Sequence, residues 1–283
     1  LVETAILTQI NHQSLVATKT QRIVRAAQGR GVADFGARRA HNIDAAVYGA
    51  RAAYIGGADS TATVLAGQMF GIPVGGARAH RWVMYHADEY AAFRRLRALY
   101  PDNAVLLVDT YNVLDSGVPN AIKAADEVLA PMGKRLKGIR IDSGDLAYLS
   151  KAARQMLDEA GLTDCKIVAS NSLDEFTIRS ILDQGGCIDS FGVGERLITA
   201  KSDPVFGAVY KLVAVHEGQA CRPTIKISET FEQITNPGRK RLWRVYDADG
   251  CAIADLITKE DESPDFSGAY AFVDPQKPWK RYV

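Results

Sequence analysis

Short apolar runs alternate with longer amphipathic segments from the start of this chain to about residue 205. The apolar runs predict strands buried on both faces, at 71–74, 104–109, 138–142, 166–171 and 189–194. Apolar residues at helical spacing predict helices at 1–30, 42–55, 88–99, 118–131, 146–160 and 173–184. Buried strands that alternate with helices form a parallel sheet, so the fold class is predicted to be α/β, either a barrel or a doubly wound sheet.

The pattern changes after residue 205. Four stretches, at 210–217, 222–228, 241–247 and 251–257, predict antiparallel strands joined by turns rich in Asn, Asp, Pro and Gly. We therefore expect a β/α domain with an N-terminal helix over 1–205 and a second, antiparallel domain over 206–283. Because the chain starts at Leu1 inside a helical pattern, we expect it to be a piece of a longer protein with an incomplete second domain.

Composition narrows the class of protein. The chain has 283 residues, of which 47% are hydrophobic and 24% are charged, and its net charge is +1. A near-neutral chain is not expected to bind nucleic acid through neutralisation of phosphates. No apolar run is long enough to cross a bilayer, so no membrane partner is expected. The four cysteines form no Cys-x-x-Cys pair, which favours reduced thiols and a cytoplasmic location.

The stretch Gly138-Ile139-Arg140-Ile141-Asp142-Ser143-Gly144-Asp145 carries the clearest chemical signal. Arg140 and Asp142 are two residues apart on a predicted strand, so both face the same side at its C-terminal end. That end is where α/β folds place their active sites. The pair suits a substrate that has an acidic group and hydroxyls, and the alternative is a structural ion pair.

Other predicted strands also end in polar residues. The full set at strand ends is Arg38, Arg39, His80, Asp109, Arg140, Asp142, Ser170, Asn171, Gly192 and Gly194. Asp109 could hold one nitrogen of the His80 imidazole and leave the other as a nucleophile or base. The Gly192-Val193-Gly194 sequence could cradle a phosphate, or be only a tight turn. Phe35 could stack on a flat ring beside the arginines, or be core packing.

Several of these segments together resemble the nicotinate phosphoribosyltransferase family. The segments are Phe35-Gly36-Ala37-Arg38-Arg39-Ala40, Gly71-Ile72-Pro73-Val74, Ala79-His80, Leu106-Leu107-Val108-Asp109-Thr110-Tyr111, Ser116-Gly117-Val118-Pro119-Asn120-Ala121-Ile122, Arg140-Ile141-Asp142-Ser143-Gly144-Asp145, Phe191-Gly192-Val193-Gly194, Val209-Tyr210-Lys211-Leu212-Val213 and Pro223-Thr224-Ile225-Lys226-Ile227-Ser228. They occur in family order over nearly the whole chain.

The resemblance implies a fold and a reaction. The fold is the irregular β/α barrel of type II phosphoribosyltransferases, with a partial α/β sandwich domain of antiparallel strands. Nicotinate and 5-phosphoribosyl-1-pyrophosphate (PRPP) give nicotinate mononucleotide and pyrophosphate, an entry step of NAD salvage. ATP hydrolysis is coupled through a phosphohistidine, Mg²⁺ accompanies the pyrophosphate, and no metal ligands of the protein are expected. The family forms homodimers with shared active sites.

The resemblance also implies roles for individual residues. His80 matches the phosphorylated histidine, with Asp109 as the acid that orients it and Asp142 directed at the substrate ring or ribose. Phe35 resembles the stacking aromatic, and Arg38 and Arg140 resemble contacts to nicotinate, pyrophosphate or phosphate. The residues that resemble the ribose and 5′-phosphate end are Ser170, Asn171, Gly192 and Gly194.

The chain also departs from the family. The family's usual Gly-Thr-x-Ala-His-Ser is here Gly76-Ala77-Arg78-Ala79-His80-Arg81, so Ala77 and Arg81 replace two hydroxyl residues. We also expect this sequence to lack the family's N-terminal segment, which in the family supplies a stacking aromatic to the neighbouring subunit. Three alternatives therefore stay open: a nicotinamide-specific relative, a quinolinate phosphoribosyltransferase, and an inactive fragment or scaffold.

Overall fold

The computed structural model describes residues 1–76, 79–103, 105–230, 233–265, 272–273, 279 and 281–282. Two compact units are present, Leu1–Ala208 and Val209–Val283. Ala77, Arg78 and Ala104, on which sequence-based expectations fall, lie outside the described residues. The assignment of 1–205 and 206–283 to two domains, the second of them incomplete, stays a prediction.

A six-stranded parallel sheet forms the centre of the first unit. Its strands are β1 (Gly31–Asp34), β2 (Ser60–Thr61), β3 (Val105–Leu107), β4 (Gly138–Ile141), β5 (Lys166–Ser170) and β6 (Ser190–Val193). The strand order is β2-β1-β6-β5-β4-β3, and every pair is parallel. The sheet is the curled wall of an irregular β/α half-barrel, which confirms the predicted α/β class.

Nine helices surround or follow these strands in the described part of the chain. They are α1 (Val2–Ala26), α2 (Ile43–Ile55), α3 (Val64–Phe70), α4 (His80–Met84), α5 (Glu89–Leu99), α6 (Val118–Ala124), α7 (Leu146–Glu159), α8 (Glu175–Asp183) and α9 (Glu195–Ile198). Side chains that cap free backbone N–H groups set several of their starts. Asn42, Asp88 and Asp145 each accept from an N–H of the following helix. Asp174 forms a capping box with Thr177.

The core lies between the sheet and its helices. Leu106, Ile139, Ile167 and Phe191, one from each of four neighbouring strands, are fully buried. Strands covered in this way need apolar residues on both faces, which explains why their sequences are continuous apolar runs. Each such side chain stabilises the folded state by about 1.5–3 kcal/mol.

The structure corrects the prediction at the N-terminal end of the sheet. The predicted strand at 71–74 is only a single bridge between Val74 and Thr61. Strand β1 was not predicted, and neither was helix α3. The expected helix over 1–30 ends at Ala26, and a short loop leads into β1. Four residues with one charged member carry too little pattern to separate β1 from the end of a helix.

The helix expected at 118–131 is also shorter and less regular than predicted. After α6 the chain widens into a π-helical turn over Ala125–Leu129 and then tightens into a 3₁₀ turn over Ala130–Met132. Pro131 has no N–H to donate, which prevents regular helical bonding at this point. Gly133 then ends the segment with a φ of 66°.

The second unit consists of antiparallel pairs, as expected. The pairs are β7 (Ala214–Glu217) with β8 (Ala220–Pro223), β9 (Lys240–Tyr246) with β10 (Ala252–Lys259), and β11 (Phe272–Val273) with β12 (Arg281–Tyr282). The strand predicted at 222–228 is β8, which starts earlier and ends at Pro223. In the turn between β9 and β10, Asp247 Oδ1 accepts from the N–H groups of Asp249 and Cys251.

Among the helices of the described residues, none combines the length and the apolar character that a membrane crossing requires.

The close approach of Gly117 to the end of β3 gives a test of the core. A Cβ atom at Gly117 would lie 1.8 Å from the carbonyl oxygen of Val108. Gly117→Ala should therefore lower the free energy of unfolding by about 1–3 kcal/mol. Urea unfolding followed by the helical circular dichroism signal measures this.

Gly207→Ala is the matched control, because its Cβ would meet no atom of the described residues within 4 Å. That variant should stay within about 0.5 kcal/mol of the parent. Equal stability of the two variants would contradict the packing described at Gly117.

Candidate active site

Asp109 lies just beyond β3, at the carboxyl end of the sheet, and is almost fully buried. Its Oδ2 accepts from the Ser143 hydroxyl at 2.6 Å and from the backbone N–H of Asp142 at 3.1 Å. Both donors come from the turn that follows β4. The two bonds fix the carboxylate, and Oδ1 is left buried without a hydrogen bond in the described structure. This oxygen points toward the imidazole of His80.

His80 begins α4 and places its ring beside two carboxylates. Its Nε2 lies 3.6 Å from Asp142 Oδ2 and 3.9 Å from Asp109 Oδ1. Its Nδ1 lies 3.1 Å from the hydroxyl oxygen of Thr110. The carboxylates are within range for charge interaction with a protonated ring, but only the Thr110 contact is short enough for a hydrogen bond.

Arg140, Asp142 and Ser170 form one connected group. Arg140 Nε donates to Ser170 Oγ at 2.8 Å, and its Nη2 lies 3.3 Å from Asp142 Oδ2. The Ser170 hydroxyl donates to Asp142 Oδ1. Arg140 and Asp142 therefore share one side of the strand end, as their spacing predicted. A guanidinium held in this way is pre-oriented for an anion.

Phe35 and Gly192 meet because β1 and β6 are neighbours in the sheet. A Cβ atom at residue 192 would lie 2.3 Å from the Phe35 ring, so only glycine leaves room for the ring there. The Arg140 guanidinium lies over the Phe35 ring, with its central carbon 5.5 Å from the centre of the ring. Gly192 is part of β6 rather than of a turn, and Gly194 alone follows the strand.

Asp34, which sequence reasoning missed, supports the turn that carries Phe35. It is completely buried at the end of β1. Its Oδ1 accepts from the Gly36 N–H at 2.8 Å, and its Oδ2 accepts from the Thr61 hydroxyl at 2.7 Å. Burial raises the pKa of the Asp34 carboxyl above its ordinary value, and the two hydrogen bonds oppose that shift only in part.

A cavity of about 510 Å³ opens at this end of the sheet, a size ordinary for a small-molecule site. Its lining is Phe35, Arg38, Arg39, Ala62, Gly76, Ala79, His80, Arg81, Arg140, Asp142, Ser170, Asn171, Ser172, Gly192, Gly194, Glu195, Arg196 and Lys201. Nine of the ten residues predicted at strand ends are in this set, and so is Phe35. The tenth, Asp109, lies behind His80. Their individual roles stay predictions.

The charge of the cavity is dominated by cations. The cationic side chains are Arg38, Arg39, Arg81, Arg140, Arg196 and Lys201, against the carboxylates of Asp142 and Glu195. Arg196 pairs with Asp174, and Lys201 pairs with Glu195. In the described structure Arg38, Arg39 and Arg81 form no ion pair with a carboxylate. Such a surplus of guanidiniums suits a ligand with several phosphate charges.

Some cavity residues carried a sequence signal and others did not. Glu195 and Arg196 directly follow Gly194, so they could have been found by extending the strand-end argument. Thr110, which contacts His80 and is not among the residues that line the cavity in the described structure, directly follows Asp109 in the sequence. Lys201 had no such signal. Its position at the cavity depends on left-handed backbone on both sides of it, with φ of 45° at Ala200 and 101° at Ser202, and the sequence pattern does not predict this conformation.

Comparison with known proteins identifies the family of this chain. The sequence model described as the nicotinate phosphoribosyltransferase (NAPRTase) family matches residues 31–248, and the model of the family's C-terminal domain matches residues 239–283. The chain belongs to the nicotinate phosphoribosyltransferase family. The resemblance seen in the sequence motifs is thereby confirmed.

Two curated family members illustrate the similarity. The chain is 52% identical over 247 residues to the nicotinate phosphoribosyltransferase of Bacillus subtilis, which covers 87% of this chain and 49% of that protein. It is 44% identical over 246 residues to nicotinate phosphoribosyltransferase pncB2 of Mycobacterium tuberculosis, which covers 86% of this chain and 50% of that protein. The chain thus spans about half the length of the curated relatives it matches.

Solved structures show the same fold. The crystal structure of human nicotinic acid phosphoribosyltransferase matches with a TM-score of 0.81 at 27% identity, over 98% of this chain and 62% of that one. The nicotinate-nucleotide pyrophosphorylase from Pyrococcus furiosus matches with a TM-score of 0.69 at 26% identity, over 93% of this chain and 62% of that one. The irregular barrel with antiparallel strands is therefore the fold of the nicotinate phosphoribosyltransferase family.

In this family member the contact of Phe35 with Gly192 can be tested by a double-mutant cycle. Gly192→Ala forces the ring aside and should lower the free energy of unfolding by about 1–3 kcal/mol. Phe35→Ala removes the ring, so the added methyl then has room. The double variant should be more stable than the sum of the two single losses predicts, by about 0.5–3 kcal/mol. Denaturant unfolding of the four proteins measures the coupling, and strictly additive losses would contradict the contact.

The buried carboxyl of Asp34 predicts a dependence of stability on pH. Its pKa is raised by burial, so the folded state binds the proton more tightly than the unfolded chain does. The stability that this proton contributes is present below the unfolded pKa and is lost as pH rises through the folded pKa. Asp34→Asn removes this loss. The free energy of unfolding of the variant should therefore rise relative to that of the parent as pH increases from the unfolded pKa to the folded pKa of Asp34.

The pH series is compared with Asp44→Asn, which removes an exposed carboxyl on α2. Chemical unfolding across the carboxyl titration range gives the three curves. Parallel curves for the parent and Asp34→Asn would contradict the prediction, because they would mean that the Asp34 carboxyl has the same pKa in the folded and the unfolded state.

Proposed function

We propose that this chain carries the catalytic site for transfer of a phosphoribosyl group from PRPP to nicotinate, which yields nicotinate mononucleotide and pyrophosphate for NAD salvage. The observation that carries the proposal is one cavity whose lining brings together six cationic side chains, a histidine, two carboxylates and an aromatic ring. Membership of the family supports the same reaction. A composition with free thiols at all four cysteines supports a cytoplasmic location.

In the proposed reaction one bond breaks and one forms at the anomeric carbon of the ribose. The bond from this carbon to pyrophosphate breaks, and the electron pair leaves with the pyrophosphate. The ring nitrogen of nicotinate supplies the pair for the new carbon–nitrogen bond. Positive charge develops on the ribose and negative charge on the leaving group. The guanidiniums of Arg38 and Arg39, which line the cavity, would stabilise that negative charge in the transition state.

The contacts of Arg140 support nicotinate over nicotinamide as the acceptor. Asp142 and Ser170 hold this guanidinium beside the Phe35 ring. A flat pyridine ring next to Phe35 would bring its carboxylate toward the Arg140 guanidinium. The attraction between these opposite charges favours binding of the acid over the amide. A carboxamide gains less there, since it brings no charge. Arg38 lines the same cavity and could share this role.

Mg²⁺ fits the site as a companion of the pyrophosphate group. The described residues hold no cluster of three or more His, Cys, Asp or Glu side chains suited to a metal ion. Magnesium that is bound mainly by phosphate oxygens needs only one or two protein carboxylates, and Asp142 and Glu195 line the cavity. When bound, the ion would neutralise charge on the leaving pyrophosphate.

ATP coupling is proposed to act through His80. The ring presents Nε2 to the cavity beside Asp142, with Asp109 behind it. In phosphorylation a nitrogen–phosphorus bond forms, the bond to the terminal phosphate of ATP breaks, and ADP leaves. The two carboxylates stabilise the positive ring during this exchange. Arg81 lines the cavity where the family has a hydroxyl, and its guanidinium can bind the transferred phosphoryl oxygens.

A homodimer with shared active sites is proposed from the family resemblance. Exposed apolar side chains on α3 support an interface, since Val64, Leu65 and Met69 are 68%, 46% and 53% exposed. Equilibrium sedimentation measures the state, and a monomer at every concentration would contradict the proposal.

The function is tested by transfer from PRPP to nicotinate and to nicotinamide, with and without ATP. Nicotinate should be the preferred acceptor, and ATP should raise the rate. His80→Ala should abolish the stimulation by ATP and retain part of the basal transfer, because positioning and charge stabilisation by the arginines remain.

His216→Ala is the matched control, because this histidine is exposed on β7. It should keep the full response to ATP. Full ATP coupling in His80→Ala would refute the role proposed for His80. Preference for nicotinamide would favour the amide-specific relative, and no transfer to either acceptor would favour an inactive fragment.

A further inference from the structure

We propose that Lys19 positions Lys201 at the cavity by holding the turn that carries it, and the catalytic consequence of this inference rests on the proposed function. Lys19 is only 5% exposed, and no described residue of its helix, α1, lines the cavity. Its Nζ lies 2.7 Å from Glu175 Oε2 and donates to Ser202 Oγ at 3.3 Å. Ser202 directly follows Lys201, whose side chain lines the cavity.

The ammonium of Lys19 is a donor whose position is fixed by two helices. A buried ammonium is costly unless an opposite charge and hydrogen bonds compensate it. Glu175, which is 8% exposed, supplies the charge, and its Oε1 lies 3.1 Å from Arg22 Nε. Glu175 is the first residue of α8, directly after the capping box that starts this helix. The ion pair therefore joins α1 to α8 and holds the ammonium where Ser202 meets it.

The backbone around Lys201 needs a contact of this kind. Ala200 and Ser202 are both left-handed, with φ of 45° and 101°, although neither is a glycine. Non-glycine residues adopt such backbone only where the surrounding structure holds them in it. Backbone hydrogen bonds within 196–203 close the turn from inside. The bond from Lys19 ties the turn to α1.

A second tie runs from α1 to the same segment of the chain. Asn11, about two helical turns before Lys19, bonds the backbone of Phe206 through both polar atoms of its amide group. Its Nδ2 donates to the carbonyl oxygen at 2.9 Å, and its Oδ1 accepts from the N–H at 3.1 Å. Helix α1 therefore holds this segment at residue 202 and again at residue 206.

The consequence for the site concerns the position of one cation. Lys201 is 57% exposed and lies 3.3 Å from Glu195, an exposed pair that fixes a side chain only weakly. The backbone of the turn therefore decides whether the ammonium stays at the cavity. When the turn opens, fewer molecules are ready to bind a phosphate ligand, and the apparent affinity falls. Lys19 does not line the cavity, so it is a positioning residue that acts through Lys201.

The test uses two variants that release the turn in different ways. Ser202→Ala removes the acceptor and leaves the buried ion pair in place. Lys19→Met combined with Glu175→Met replaces the pair by apolar side chains, a change that is often neutral for stability. Urea unfolding checks that each variant folds, and Ser202→Ala decides the test if the double variant does not. Trypsin cleavage between Lys201 and Ser202, measured by mass spectrometry on the substrate-free chain, reports how often the turn opens.

Both releasing variants should increase the cleavage rate at this bond by about 2- to 12-fold, the change expected for loss of one hydrogen bond. The KM for PRPP should rise, while kcat and the KM for nicotinate stay near parent values. Lys201→Met should raise the KM for PRPP at least as much. Added to Lys201→Met, Ser202→Ala should raise it no further, because the turn then has no cation to position.

Thr199→Ala is the matched control, because it removes a hydroxyl of the same segment that donates to the Glu195 carbonyl oxygen within α9. It should change neither the cleavage rate nor the KM for PRPP. Unchanged cleavage in the releasing variants would overturn the inference. Additive increases in KM would also overturn it, because Lys19 would then act on the site without Lys201. If the parent shows no transfer while cleavage still responds, the proposed function fails and the hold of Lys19 on the turn stands.

Discussion

The carboxyl ends of parallel strands meet at one edge of the sheet, and the whole candidate site depends on this constraint. The register of β5 with β6 pairs Ser170 with Gly192, and that of β3 with β4 pairs Leu107 with Arg140. Residues that follow these pairs, such as Asp109 and Asp142, therefore emerge side by side. The backbone hydrogen bonds between the strands therefore bring several charged groups within a few ångströms of one another. Side-chain contacts then refine this arrangement.

Buried hydrogen bonds then convert proximity into fixed geometry. Asp109 would be costly to bury without donors, and the Ser143 hydroxyl with the Asp142 N–H supplies two. Asp34 has the same relation to Gly36 and Thr61 at the end of β1. Each carboxylate ties the loop after one strand to a neighbouring segment. The site is rigid behind the cavity, while the cations that face the cavity keep donors free for a ligand.

Much of this arrangement was accessible from sequence because it follows from local patterns. Apolar runs located β3 to β6, and the polar residues that end them are the ones around the cavity. Where the pattern was short, prediction failed: β1 has four residues and one acid, and α3 lies between turns. Two residues of the site carried no local signal. The position of Lys201 depends on left-handed backbone on both sides of it, and the role of Asp34 depends on its burial.

The sequence by itself determined the α/β class, most strand ends and the family, because hydrophobic periodicity and motif spacing are properties of consecutive residues. The tertiary structure decided which groups touch. Strand β1 lies next to β6 although the two are far apart in the chain, and only this order places Phe35 against Gly192. The contacts of the His80 ring, with Thr110 at Nδ1 and with Asp109 and Asp142 near Nε2, likewise depend on how α4 packs against the ends of β3 and β4. Such differences arise from packing between remote segments, which no local pattern encodes.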